Sequence, residues 1–436
     1  MKRLVVAALM FAVVSASAQT PDGRGTELPR RQLRPYATVE EAEAETGGES
    51  RYIVPVTEWT RSEQGGRTLF SAEFVYPLSW LNRQVLVRIG SASAGYAVEV
   101  GGRRAGTASN GAAPVEFNVT NLAVQGVNTL TVVLDEPQSN EPLTRADVAW
   151  LGSVEIVSQP TLRVRDVDVR TTLNDSGDGI FEAAVVVKTD ALNPKQGRIS
   201  YELAYEGERL TAGYKDVKLE MRGEDTVRFV AIVPKVLLWS TESPTLLTLT
   251  LRNRIEGRYA ENIVVPVGAR AVEYRDNTLF VNGKATSLKT AVVSSNVSVG
   301  ELQQMKDSGF NAVTVAAGEA AAGLYDACDS AGVYVVTQVA VDTSNGGRSI
   351  KKGGNASNDP TLTDEYPSRT FAAFHTAKNH PSVVAFSLGG GIVNGINTYE
   401  SYLLMKGLDG SRPVVYDGAG GEWNNDRFDH RTVKQQ

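Results

Sequence analysis

Three carboxylates stand where they could do chemistry. Glu319, Asp342 and Asp417 each fall near the C-terminal end of a predicted strand. A carboxylate pair across a pocket can run general acid/base catalysis. Acids in such loops are otherwise plain solvated side chains. The three histidines, His375, His380 and His430, are scattered without metal-ligand spacing. His380 precedes Pro381 and is expected to bond backbone. Gly389-Gly390-Gly391 lacks the Lys-Ser/Thr of a phosphate loop and the dinucleotide spacing. Asp426-Arg427-Phe428-Asp429-His430 lacks calcium-loop spacing. The single cysteine, Cys328, lies on a predicted apolar helix face with no histidine near in sequence, so a buried inert thiol is expected. Four aromatic residues, Trp59, Tyr76, Trp80 and Tyr96, could stack on a sugar ring or pack in a core.

The elements that would position these residues change character along the chain. From about Arg51 to Val157, short alternating apolar segments are separated by Gly, Asn and Pro, which predicts an antiparallel sandwich. A second all-β segment runs from about Pro160 to Arg270. From Ala271, a hairpin around Asn282-Gly283 leads into apolar runs that alternate with helical stretches, the pattern of βα units. Strands are predicted at Leu288 to Val293, Ala312 to Val315, Val333 to Thr337, Val383 to Leu388 and Pro413 to Tyr416. The helical stretches between them start at Val299, Gly318, Arg369 and Thr398. In such a barrel the C-terminal strand ends face the active site.

Residues Asn379 to Gly389, Asn-His-Pro-Ser-Val-Val-Ala-Phe-Ser-Leu-Gly, resemble the fourth barrel strand of glycoside hydrolase family 2, N-H-P-S-V-(I/V)-x-W-S-L-G-N-E. Gly390 then replaces the family's Asn. Gly391 replaces the Glu that serves as general acid/base. Asn311-Ala312-Val313 is similar to the family's second strand, N-x-(V/I)-R-x-x-H, but Thr314 replaces the Arg and Ala317 the His. Gln338 stands where the third strand often ends in Glu. Asp409-Gly410-Ser411-Arg412-Pro413-Val414 matches D-x-S-R-P-V before strand five. Val98-Glu99-Val100-Gly101-Gly102, Pro114 to Thr120 and Gly126 to Leu130 resemble segments of the family's jelly roll. Leu237 to Leu249 resembles a segment of its immunoglobulin-like second domain, with Trp239 expected between the sheets.

The resemblance implies a multidomain fold: a β jelly-roll sandwich, an immunoglobulin-like β-sandwich, and an incomplete α/β (TIM-type) barrel with about five strands. The expected units are 51–158, 159–270 and 271–436, preceded by a linker or loosely attached arm at 19–50. Residues 1–18 read as a secretory signal peptide, with Lys2-Arg3, an apolar run from Leu4 to Val14 and Ala16-Ser17-Ala18. An exported protein of the periplasm or cell surface is expected, without a membrane span after cleavage. The 436 residues carry 42% hydrophobic and 22% charged residues, with a net charge of -6, which gives no reason to expect nucleic acid. No cofactor or metal is expected.

The expected function is binding of a glycan, or scaffolding, without catalysis. The alternative is an active O-glycosyl hydrolase, β-galactosidase-like, with relocated carboxylates. The sequence stops at Gln436, and the family's nucleophile Glu lies on a later strand. A five-strand sheet would expose edges at Leu288 to Val293 and Pro413 to Tyr416. The tail after Tyr416 is expected to leave them bare, so a protein partner or homo-oligomer is expected to cover the open barrel.

Overall fold

The computed structural model describes residues 26–27, 33–43, 50–112, 114–135, 148–293, 297–318, 321–343 and 355–433. The expected signal peptide and Glu319 lie outside them. Alternation of apolar and polar residues builds the first unit. Two five-stranded antiparallel sheets face each other across a core of Val85, Val87, Ile89, Val98, Phe117 and Leu130. In the second unit, three- and four-stranded antiparallel sheets enclose Val167, Phe181, Val185, Ile199, Leu249 and Val265.

The described part of the preceding arm is tightly attached, which corrects the expectation of a loose linker. Thr26–Glu27 pairs with Glu116 and Phe117. Leu33 is buried in the second core. Tyr36 exchanges backbone hydrogen bonds with Asn262 at 2.8 and 2.9 Å. The arm supplies apolar and backbone groups that satisfy partners on both sandwiches.

A three-stranded hairpin sheet follows, made of Val272–Arg275, Thr278–Val281 and Lys284–Thr286. Its second turn is Asn282-Gly283, at φ 47° and 75°, the backbone a tight two-residue hairpin turn demands. Then parallel strands alternate with helices. They are β1 (Leu288–Val292), α1 (Val299–Asp307), β2 (Ala312–Ala316), α2 (Ala321–Ala331), β3 (Tyr334–Gln338), α3 (Glu365–Ala377), β4 (Val383–Ser387), α4 (Ile396–Leu408) and β5 (Val414–Val415). Ser298 opens α1 with a capping box: its hydroxyl accepts from Glu301 N–H while Glu301 reaches back to Ser298 N–H.

The sheet order is β5-β4-β3-β2-β1, followed by β6 (His430–Val433), which pairs parallel to β1. The described chain thus forms a partial barrel. Val313, Val315, Val335, Val383 and Phe386 pack outward on the helices. Leu288, Ala312, Tyr334, Val336 and Ala385 pack inward on the hairpin. Cys328 is buried among the outward set, where burial pushes its thiol up.

Three local expectations are corrected. Trp239 leaves the second sandwich and fills the barrel floor: its ring lies 6.0 Å from Tyr334 and its indole N–H donates to Asp329 O at 2.8 Å. It sits on the connection after a 3-10 turn, where the chain already points toward the barrel. His380 bonds a carboxylate instead of backbone, with Nδ1 2.7 Å from Asp329 Oδ2. The tail does cover the sheet edges. Asp426 N–H donates to Val414 O at 2.8 Å, and Asp426 Oδ2 accepts Val414 N–H at 2.7 Å. Beyond it, Leu288 N–H donates to Asp429 O at 2.9 Å as β6 begins. The tail's few large apolar groups did not point to this role, because it acts through backbone and one carboxylate.

Candidate functional site

Period-two alternation carries the inner face upward from Ala312, Val336 and Ala385 to Thr314, Gln338 and Ser387. These three are only partly buried, so the C-terminal rim is open where the floor is closed. The loops after β3 and β4 are joined at this rim. Asp342 and Gly390 form a parallel bridge, Gly390 N–H donates to Val341 O at 2.8 Å, and Thr343 N–H donates to Gly390 O at 3.1 Å. The Thr343 hydroxyl donates to Gly391 O at 3.0 Å.

The glycine run shapes the rim. At Gly389, with φ +144°, a Cβ would lie 2.5 Å from Val341 O, so no side chain fits. At Gly390 a Cβ would lie 3.3 Å from Gln338 Nε2 and 3.5 Å from Asp342 Cγ. Gln338 and Asp342 therefore flank the position where the family pattern has its Asn. Gly391 has φ +63°. Of the three candidate acids, the structure places Asp342 beside the bare rim. Asp417 is exposed in the loop after β5, next to Gly418, which bridges Val393.

Of the two readings of the four aromatic candidates, core packing holds for three, Tyr76, Trp80 and Tyr96. Trp80 is 0% exposed, Tyr96 1% and Tyr76 7%. The Trp80 indole donates to Arg51 O at 3.0 Å, and the Tyr76 hydroxyl donates to Trp80 O at 3.3 Å. Burial pushes the Tyr96 phenol up. Trp59 is half-buried and meets Phe70 edge-on at 6.5 Å. Tyr76 and Tyr96 fall in phase with the inward residues of their strands, Phe74 and Val98, and this decides their burial.

The aromatic at the site is Trp150, which the sequence did not single out. It is 46% exposed and sits in an isolated Ala-Trp-Leu run with no periodicity to mark it. Ser93 clasps it: Trp150 O accepts Ser93 N–H, and Trp150 N–H donates to Ser93 Oγ, both at 3.0 Å. Trp150 borders a cleft of about 380 Å³ between the first sandwich and the end of β2.

Among the described residues, Asp326, Asp329 and His380 form a group that could hold a metal ion, with ligand atoms within 4.8 Å. The His380–Asp329 bond already uses two of these atoms, and Asp329 Oδ1 accepts Ser382 N–H at 3.0 Å. The contacts lock α2 to β4. His380 also stacks on Tyr325 at 4.9 Å. At the tail, Asp426 accepts Lys406 Nζ at 3.0 Å and the Tyr402 hydroxyl at 2.9 Å, which fills its carboxylate.

Comparison with known proteins matches two family descriptions. "Glycosyl hydrolases family 2, TIM barrel domain" covers residues 276–435, and "Glycosyl hydrolases family 2" covers residues 162–270. A β-galactosidase of Alteromonas mediterranea is 27% identical over 380 residues, which are 82% of this chain and 35% of that protein. A β-galactosidase of Vibrio vulnificus is 27% identical over 369 residues, 79% of this chain and 35% of its own length. The chain thus spans about a third of the length of these curated relatives. A glycosyl hydrolase family 2 member from Bacteroides cellulosilyticus superposes with a TM-score of 0.68 at 17% identity, covering 83% of this chain and 48% of that one. Bacteroides uniformis β-glucuronidase gives 0.67 at 16% identity, covering 90% and 52%. At these identities the structural likeness is one of fold.

Proposed function

This chain belongs to glycoside hydrolase family 2, and from that premise we propose that it is a member without glycosidase activity that binds carbohydrate in the cell envelope. The observation that carries this reading is Gly391. It stands at the acid/base position of the family pattern, with no carboxylate of its own and a backbone at φ +63°. The neighbouring positions support it, because Thr314, Ala317 and Gln338 stand where the pattern has Arg, His and often Glu, and Gly390 has no side chain where it has Asn. The first sandwich is read as the family's jelly roll and the second as its immunoglobulin-like domain. The Lys2-Arg3 and Leu4 to Val14 segment supports export. Among the described residues no helix is long and apolar enough to cross a membrane. The partly exposed inner residues Thr314, Gln338 and Ser387 suit cover by a protein partner or a second copy.

One observation favours the alternative, an active O-glycosyl hydrolase. Asp342 faces Gly390, so a carboxylate remains at the mouth. Chromogenic β-galactosides, β-glucuronides and β-mannosides separate the two readings. The expected result is no release above background from purified protein. Turnover that disappears in Asp342→Asn would establish the alternative.

A further inference from the structure

The joint between the second sandwich and the barrel floor buries two arginines whose donors are not all used. Arg270 lies on the link from the sandwich to the hairpin sheet, and Arg412 lies on the turn that enters β5. They are only 8% and 7% exposed. The link is pinned on both sides of Arg270. Trp239 N–H donates to Ala269 O at 2.8 Å, and Ala271 N–H donates to Asn282 Oδ1 at 3.0 Å. The Arg270 guanidinium has Arg412, Asp409 and Asp329 as charged neighbours, together with the Tyr334 phenol. Among the described residues, Arg270 Nε and Nη1 and Arg412 Nη1 have no hydrogen-bond partner. The nearby carboxylates are already engaged. Asp409 Oδ1 accepts the Ser411 N–H at 2.8 Å and the Ser411 hydroxyl at 2.6 Å, and Asp409 Oδ2 faces Arg412 Nε at 3.2 Å. Asp329 gives one oxygen to His380 and the other to Ser382 N–H. Burial, with Arg412 next in effect, pushes Arg270 down to about 9. A buried cation with idle donors is costly, so the joint calls for an acceptor.

We propose that this joint binds a small monovalent inorganic anion of the size of chloride, held between the Arg270 and Arg412 guanidinium groups. An anion suits these donors better than water does. Water also carries two protons that need acceptors of their own. An anion only accepts, and it offsets the like charges of the two arginines where the local dielectric is low. Packing sets the size. A Cβ on Gly268 would lie 2.5 Å from Pro381 Cβ and Cγ, and one on Gly332 would lie 2.6 Å from Thr241 O. Sandwich and floor meet so closely at these points that a single atom fits the joint better than a phosphate or sulfate group. Bound there, the anion ties the link at Arg270 to the foot of β5 at Arg412. The unfolded chain does not bring these two residues together, so anion binding stabilises the joined fold.

Crystals grown with bromide in place of chloride test the site, because bromide is located by its anomalous scattering. A peak should lie between Arg270 and Arg412. Urea denaturation of the purified full chain is the solution test, with sodium gluconate replaced stepwise by sodium chloride at one ionic strength so that general screening stays constant. The unfolding midpoint should rise with chloride, and above the dissociation constant it should follow the logarithm of the chloride concentration. Arg270→Met should lose that response, whatever its own stability. Arg270→Lys keeps the charge but not the planar fork, and should need several-fold more chloride for the same gain. A wild-type midpoint indifferent to chloride overturns the proposal, as does an Arg270→Met midpoint that rises as steeply as the wild type's. A bromide peak without any response in solution would be binding at crystal concentration only, and overturns it too. Should Arg270→Met fail to fold, the bromide peak and the wild-type titration still decide.

Discussion

At Gly391 the backbone lies in the left-handed region, where an L side chain costs about 1 kcal/mol or more. Restoring the family's residues there does more than replace a carboxylate. Gly390→Asn must fit beside Gln338 and Asp342, and Gly391→Glu must also carry the strain. An acid/base alone supplies only part of the barrier reduction, because residues of a site act as a unit. The double variant should therefore release no sugar from activated glycosides above background. Release by a double-displacement route would show that another group, with Asp342 the first to examine, serves as nucleophile. The loss of the acid/base was legible in the sequence because it interrupts an otherwise continuous motif. The consequence for φ was not, since a glycine adopts either sign of φ with about equal ease. Trp150 was hidden for a different reason: Thr314 and Ala317, which line the same cleft, are far away in sequence, and nothing local signals that the fold brings them to one place.

The five predicted strands of the partial barrel, and the helices between them, recur with ends shifted by a few residues. Their apolar runs are local signals, and the capping box at Ser298 is another. The tail's role is non-local and could not be read from composition. Asp426 joins β5, α4 and the path to β6 through four hydrogen bonds from Val414, Lys406, Tyr402 and its own N–H. Amides of Leu288–Val292 and Val414–Val415 should accordingly be protected from hydrogen exchange in the monomer. Asp426→Ala should selectively expose Val414, while the two sandwiches keep their protection. Light scattering over a concentration series completes the experiment. Self-association with unchanged edge protection would place any second copy on the inner face. Fast exchange at both edges in the wild type would refute the clasp.

Across the whole molecule the units meet through buried polar groups. Within the first sandwich Arg88 pairs with Glu116 at 2.7 Å and with Glu155 at 3.3 Å, and Arg165 of the second sandwich reaches across to lie 3.6 Å from Glu116. Burial works against ionisation of Glu116, but Arg88 and Arg165 outweigh it and hold the carboxyl below its ordinary range. A depressed carboxylate pKa stabilises the fold above the unfolded-state value, and that contribution is lost as pH falls through the folded-state value. Glu116→Gln should cost about 2 kcal/mol near neutral pH, less than a fully broken buried pair because Arg88 keeps Glu155. Urea denaturation should show this gap narrowing below about pH 4. A gap independent of pH would assign the effect to shape alone. At the next joint Lys378 meets Asp166 at 2.6 Å, and Asn379 accepts Val169 N–H and donates to Val167 O. These joints bear on time as well as stability. The cleft beside Trp150, framed by units so joined, should have no closing step, and a ligand should enter and leave it in a single kinetic phase, its observed rate rising linearly with concentration and never levelling off.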